Sequence, residues 1–211
     1  SIYRKLLSTA IISNCHLIVW AIGHYGRQHL APFSDLDLLF VPFSREKKVK
    51  TAIEKVLHIL WDLGFKVGHA VRDLEEIMET AKKEFVIQTS LLDCRSICGS
   101  NENFKKVEQT IDFLFENEDR NFFLKNKIRE REERLEKKDS NSYLLEPNIK
   151  ECMGGLRDLN LLFWFFKRFY KSSNLDFLNK IKVISNFEMK KLKKSLDFII
   201  TIRCYLHYLS E

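Results

Sequence analysis

Gly23-His24-Tyr25-Gly26-Arg27, a six-residue spacer, and then Ser34-Asp35-Leu36-Asp37-Leu38-Leu39-Phe40 decide how this sequence folds. The first segment is a glycine-bearing turn directly after an apolar run, His16 to Ile22. The second sets two carboxylates, i and i+2, in an apolar run that ends at Val41-Pro42. Leu36, Leu38, Leu39 and Phe40 have the composition of a strand. In a strand, Asp35 and Asp37 share one face, about 6.6 Å apart along the chain.

Two like charges on one strand are costly unless something compensates them. A divalent ion does so. Mg²⁺ suits the pair, because it takes one or two carboxylates and fills its shell with water and substrate phosphates. A strand entrance with two solvated aspartates is the plainer alternative. Gly23 and Gly26 let backbone N–H groups approach a polyphosphate. A helix opening near Arg27 adds partial positive charge, and Arg27 offers a fork of donors to phosphate oxygens. Turn and carboxylates together describe a nucleotide–metal site; a ligand-free strand connection is the other reading.

The 211 residues suffice for one large domain or two small ones. A hydrophobic content of 45% supports real cores, and 17 phenylalanines against 7 glycines and 3 prolines favour helices with few long loops. The net charge of +6 fits an anionic partner or, equally, a lysine-rich surface. The aromatic–basic interleaving of a nucleic-acid-binding module is missing, so nucleic acid is not an expected partner. Cys15, Cys94, Cys98, Cys152 and Cys204 show no zinc spacing and read as reduced thiols of a cytoplasmic protein. No apolar run reaches membrane-spanning length without a charge. Ser1-Ile2-Tyr3-Arg4-Lys5 is no convincing signal peptide. A start without Met and a stop inside an apolar helical pattern read as the ends of a piece of a longer protein.

Periodicity predicts helices over Ile2–Ile12 and Glu46–Leu63, the latter with Val49, Ile53, Val56, Leu57 and Leu60 on one face and Gly64 past its end. Phe65–Val71 alternates as a strand. Asp73 caps a helix to about Lys82 with Glu76 at the capping-box position, and a short helix follows over Phe85–Ser90. Leu91–Cys98 reads as a strand in which Asp93 and Arg95 share a face, as a surface pair in the plainer reading. Beyond Asn101 the pattern is helical: Val107, Ile111, Leu114 and Phe115 form a stripe, and Phe122–Lys138 continues, with Arg129–Lys138 a solvated face. Asp139–Ser142 is a loop. Leu156–Tyr170 should be a buried helix, followed by helices over Leu175–Ile184 and Glu188–Leu209.

At Ala21–Phe40 the chain resembles the nucleotidyltransferase superfamily that includes DNA polymerase beta, and more narrowly the catalytic domain of bacterial PII uridylyltransferase/uridylyl-removing enzymes. Trp61-Asp62-Leu63-Gly64 with Val67–Arg72 resembles the same family, as does Tyr143-Leu144-Leu145-Glu146-Pro147-Asn148-Ile149-Lys150-Glu151-Cys152-Met153-Gly154-Gly155-Leu156-Arg157-Asp158-Leu159. The family usually has a second glycine where His24 stands, and Gly-Pro-Gly-Gly where this chain has Cys152-Met153-Gly154-Gly155.

The resemblance implies an α+β fold. A small mixed sheet with helices, the polymerase beta-like catalytic domain, spans residues 1–100, and an all-α helical domain spans 101–211. It implies transfer of UMP from UTP to a tyrosine of the PII signalling protein in nitrogen regulation, without the hydrolytic HD domain and the glutamine-sensing ACT domains. Asp35 and Asp37 would hold Mg²⁺, and Asp93, on a strand beside theirs, would complete an acidic triad or take the proton of the attacking hydroxyl. Gly23, His24, Gly26, Arg27 and Ser34 would line the triphosphate, with Lys150 and Arg157 reaching it. His69 is read either as facing the nucleotide or as structural, and Arg157 and Asp158 alternatively as anchors of the Gly154-Gly155 turn. Another nucleotide or protein acceptor, as in adenylyl transfer, stays open, as does a non-catalytic protein-binding domain.

Overall fold

The computed structural model describes residues 16–139 and 148–209. The helix expected over Ile2–Ile12, most of the loop after Asp139 and the opening of the Tyr143–Leu159 motif lie outside them. The described residues up to Glu116 form one compact unit, and those from Asn117 a second.

The first unit is built on four strands: β1 (Leu17–Ala21), β2 (Leu36–Pro42), β3 (Val67–Val71) and β4 (Arg95–Cys98). Their order is β3-β2-β1-β4. β1 runs antiparallel to β2 and β4, and β2 runs parallel to β3, so the sheet is mixed and the fold is α+β as expected. A four-residue helical turn, α1 (Gly23–Gly26), follows β1. The other helices are α2 (Lys47–Asp62), α3 (Leu74–Lys83), α4 (Phe85–Leu92) and α5 (Asn101–Glu116).

Side-chain alternation divides the core between the two sheet faces. Leu17, Val19 and Ala21 with Leu36, Leu38 and Phe40 pack on the Val49, Ile53, Val56, Leu57 and Leu60 stripe of α2. Ile18, Trp20, Leu39 and Val41 pack on α3, α4 and α5 through Ile77, Leu91, Val107, Ile111 and Leu114. The predicted capping box opens α3: Asp73 Oδ1 accepts from the Glu76 N–H at 2.9 Å, and Glu76 Oε2 from the Asp73 N–H at 3.0 Å.

Two expectations change here. The stripe of α5 completes the core on the sheet, so this helix belongs to the first unit and the division falls after Glu116 rather than after residue 100. The expected strand Leu91–Cys98 begins only at Arg95. Burial of Leu91 extends α4 to Leu92, and Asp93 closes that helix with φ −94° and ψ 0°. Moreover, β4 pairs with β1 and not with β2.

The second unit contains α6 (Arg120–Asp139), α7 (Leu156–Tyr170), α8 (Leu175–Lys180) and α9 (Asn186–Leu209). Phe163 and Phe166 of α7 pack with Leu175 and Leu178 of α8. The face of α6 expected to be wholly solvated is not. Arg131 binds Asp158 through two nitrogens at 3.0 and 2.9 Å, and Arg134 binds it at 2.6 Å. A half-buried carboxylate in the first turn of α7 is satisfied by such partners. Lys127, 3% exposed, pairs with Glu130 at 2.7 Å and lies 5.5 Å from the centre of the Trp164 ring.

Candidate active site

Asp37 stands near the opening end of β2, on the sheet face that also carries Leu39 and Val41. Asp35 is exposed just before the strand, and Ser34 is half-buried in the turn ahead of it. Backbone closes on the Asp37 carboxylate from two sides. A Cβ at Gly23 would lie 3.1 Å from Oδ2, and one at Gly68, which pairs with Asp37 across the parallel ladder, would lie 2.7 Å from Oδ1. Gly23 also needs its glycine for a φ of +57°. Burial pushes the Asp37 carboxyl above the usual carboxylate range; Asp35 adds to this, and Arg27 opposes it.

The turn that holds Gly23 in place is pinned at several points. The Gly26 N–H donates to the Ile22 carbonyl at 3.0 Å and the Arg27 N–H to that of Gly23 at 3.1 Å. A Cβ at Gly26 would run into the Asp93 carbonyl oxygen and come within 2.9 Å of that of Ala21. This position therefore needs glycine for close backbone packing. Arg95 donates to the carbonyls of Gly26 and Tyr25 at 3.3 and 3.2 Å, and its guanidinium lies 5.3 Å from the centre of the Tyr25 ring. It does not form the expected surface pair with Asp93. His24 is absent from the positive-φ residues, so the backbone accepts a side chain there.

Arg27 and Asp93 form a buried ion pair, with side chains 6% and 1% exposed. Burial lowers the Arg27 pKa, against the opposing charges of Asp93 and Asp37. The expected placement of Asp93 on a strand neighbouring β2 is corrected accordingly. Arg27 is turned inward, and Asp93 sits at a helix end with its carboxylate on Arg27. Among the described residues no three His, Cys, Asp or Glu side chains cluster as a metal site. Asp35 is exposed, and Asp37 is half-buried with its carboxyl pKa raised by burial and by its neighbour. That donor set fits Mg²⁺, whose shell is otherwise water and substrate oxygen.

His69 lies on the other face of the sheet, where its ring meets Phe40 and Trp61 edge to face at 6.5 and 6.3 Å between centroids. Lys150 and Arg157 belong to the second unit. Lys150 is exposed, and Arg157 Nε donates to Glu151 Oε1 at 2.5 Å. The Gly154 N–H donates to Asp158 at 2.9 Å, so Asp158 ties the glycine turn to α6 and α7.

Residues 122–211, most of the second unit, match the family model described as GlnD PII-uridylyltransferase. Two bifunctional uridylyltransferase/uridylyl-removing enzymes match nearly the whole chain. That of Phenylobacterium zucineum is 37% identical over 193 residues, 91% of this chain and 21% of the relative. That of Azospirillum brasilense is 41% identical over 191 residues, 90% of this chain and 20% of the relative. Over about nine-tenths of its length the chain is similar to these uridylyltransferases. It spans about a fifth of the length of these relatives.

Two residues near the carboxylates were given no part in the site from sequence. Gly68 is a glycine inside a strand pattern, which signals close approach of another group. Arg95 carried no such signal, because its partners Tyr25 and Gly26 lie about 70 residues earlier and meet it only in the folded sheet.

Proposed function

We propose that this chain transfers UMP from UTP to a tyrosine hydroxyl of a PII signalling protein, with Mg²⁺ held by Asp35 and Asp37. The observation that carries this is the Asp37 carboxylate, half-buried and enclosed by Gly23 and Gly68 beside Asp35. The relatives, named as uridylyltransferases, supply the nucleotide. Bound there, Mg²⁺ would neutralise charge on the phosphates and orient them for in-line displacement. The tyrosine oxygen bonds to the α-phosphorus as the bond to the β-phosphate oxygen breaks, releasing pyrophosphate and the hydroxyl proton. The protein's part is positioning more than covalent chemistry. Gly23 and Gly68 fix the Asp37 carboxylate. Arg27, through Asp93, locks the turn that carries Gly23. His24 and Ser34 border the same turn and strand and are proposed triphosphate contacts. A reduced cytoplasmic setting belongs to the same proposal. Among the described residues Cys94, Cys98, Cys152 and Cys204 form no disulfide, and no described helix is long and apolar enough to cross a membrane.

Thermal unfolding with UTP, ATP, CTP and GTP, with and without Mg²⁺, tests the site. A ligand at 100 times its dissociation constant stabilises by about 2.7 kcal/mol. The expected result is a Mg²⁺-dependent upward shift, largest with UTP and absent in an Asp35→Ala/Asp37→Ala variant. An unshifted transition with every nucleotide would contradict the nucleotide–metal site and favour a non-catalytic protein-binding domain.

A further inference from the structure

A cleft of about 220 Å³ opens beside Asp37 within the first unit. Its floor is β2 and β3 on the carboxylate face, where Leu39 lies next to Gly68 and Ala70. The cleft exists because β3 carries small residues at these two positions; the β-branched residues common in strands would fill it. Ile87 and Leu91 of α4 line it as apolar walls. An apolar slot beside a polar, metal-fitting carboxylate is the shape that takes a flat heterocycle joined to a phosphate.

Arg72 lines the same cleft. Its backbone N–H donates to the Phe40 carbonyl at 3.0 Å, which continues the β2–β3 ladder and fixes it to the sheet. It stands four residues beyond Gly68, about 13 Å along the strand from the level of Asp37. That is the length scale from the α-phosphate of a nucleotide to the outer edge of its base. Neighbouring Asp73 is engaged by Arg45 at 3.6 Å, and among the described residues Arg72 itself forms no ion pair. A guanidinium carries five donors and no acceptor. It therefore complements a base edge that presents carbonyl oxygen and opposes one that presents an amino group.

We propose that this cleft is the base pocket of the nucleotide site, and that Arg72 donates to a carbonyl oxygen on the outer edge of the base and so favours uracil over cytosine. The inference rests on the uridylyl-transfer reading of the same site. It adds the residue that selects the base.

Equilibrium binding of UTP, CTP and inorganic tripolyphosphate, each with Mg²⁺, to the parent chain and to Arg72→Ala and Arg72→Lys tests it. The parent should bind UTP about tenfold more tightly than CTP. Arg72→Ala should lose that preference and bind tripolyphosphate as the parent does, and Arg72→Lys should keep part of the preference. Equal loss of UTP and tripolyphosphate affinity in Arg72→Ala would make Arg72 a phosphate ligand and overturn the inference. So would equal binding of UTP and CTP by the parent, or an unchanged preference in Arg72→Ala, and either leaves uridylyl transfer itself standing. A parent that binds tripolyphosphate but no nucleotide overturns the base pocket and the proposed function together.

Discussion

Asp37 is held at a cost to the fold that a cation would relieve. Its carboxyl pKa is raised, first by burial and then by Asp35. A carboxyl whose folded pKa lies above its unfolded value favours the folded state when protonated. That contribution is full below the unfolded pKa and is lost as pH rises through the folded one. Asp37→Asn should therefore raise the melting temperature at neutral pH without metal, and the gain should vanish at acid pH. The same variant should abolish transfer. Thermal melts across pH check the first outcome, and a lower melting temperature at neutral pH would contradict it. The Arg27–Asp93 pair follows the opposite logic. Removal of one partner leaves an uncompensated buried charge, so Arg27→Ala should destabilise by about 3–5 kcal/mol. Arg27→Met/Asp93→Leu, of similar volume, should recover most of this in urea unfolding. A phosphate-binding role for Arg27 predicts instead a stable single variant with weaker nucleotide binding.

At the scale of elements, β3 does more than extend the sheet. Its glycine faces Asp37, and a methyl at Gly68 would press on Oδ1 at 2.7 Å. The contact is with the end of a side chain, so the carboxylate can give way. Gly68→Ala should leave the melting temperature within a few degrees of the parent yet lower transfer about tenfold or more, read as kcat at saturating UTP and Mg²⁺. Unchanged kcat would show that the position of the carboxylate is not critical. The parts of the fold that were legible in the sequence are those written locally. The alternation of β2, the α2 stripe and the α3 capping box each lie within a single element. The turn at Gly23 was legible for the same reason. The strand placement of Asp93 was misjudged because Leu91-Leu92-Asp93 carries the composition of a strand, while packing of Leu91 on the sheet favours the last turn of a helix. The Arg27–Asp93 and Arg95–Tyr25 contacts join residues 66 and 70 apart, which no local pattern reveals.

Across the whole molecule, each unit has its own electrostatic anchor. In the second unit burial alone would raise the Asp158 carboxyl. Hydrogen bonds from Arg131 and the Gly154 N–H, with the charges of Arg131 and Arg134, outweigh it and hold the pKa below the usual range. Stability from a depressed carboxyl is present above its unfolded pKa and is lost as pH falls through its folded pKa. Asp158→Asn should destabilise the second unit by about 1–3 kcal/mol at neutral pH, with the difference from the parent shrinking in acid. Hydrogen exchange should place the loss in α6 and α7 and spare the sheet. Uniform loss over both units would contradict a local role. The family model matches this helical unit, while the two enzymes match both units, so the acidic pair and the Asp158 clamp fall within one continuous likeness. The most direct test of the central claim is mass spectrometry of a PII protein incubated with this chain, UTP and Mg²⁺, beside the Asp37→Asn variant. The account predicts a gain of one uridylyl group on a tyrosine with the parent and none with the variant. Equal modification by both proteins would contradict the assignment of the site, and no modification by a parent that binds UTP would contradict the assignment of the acceptor.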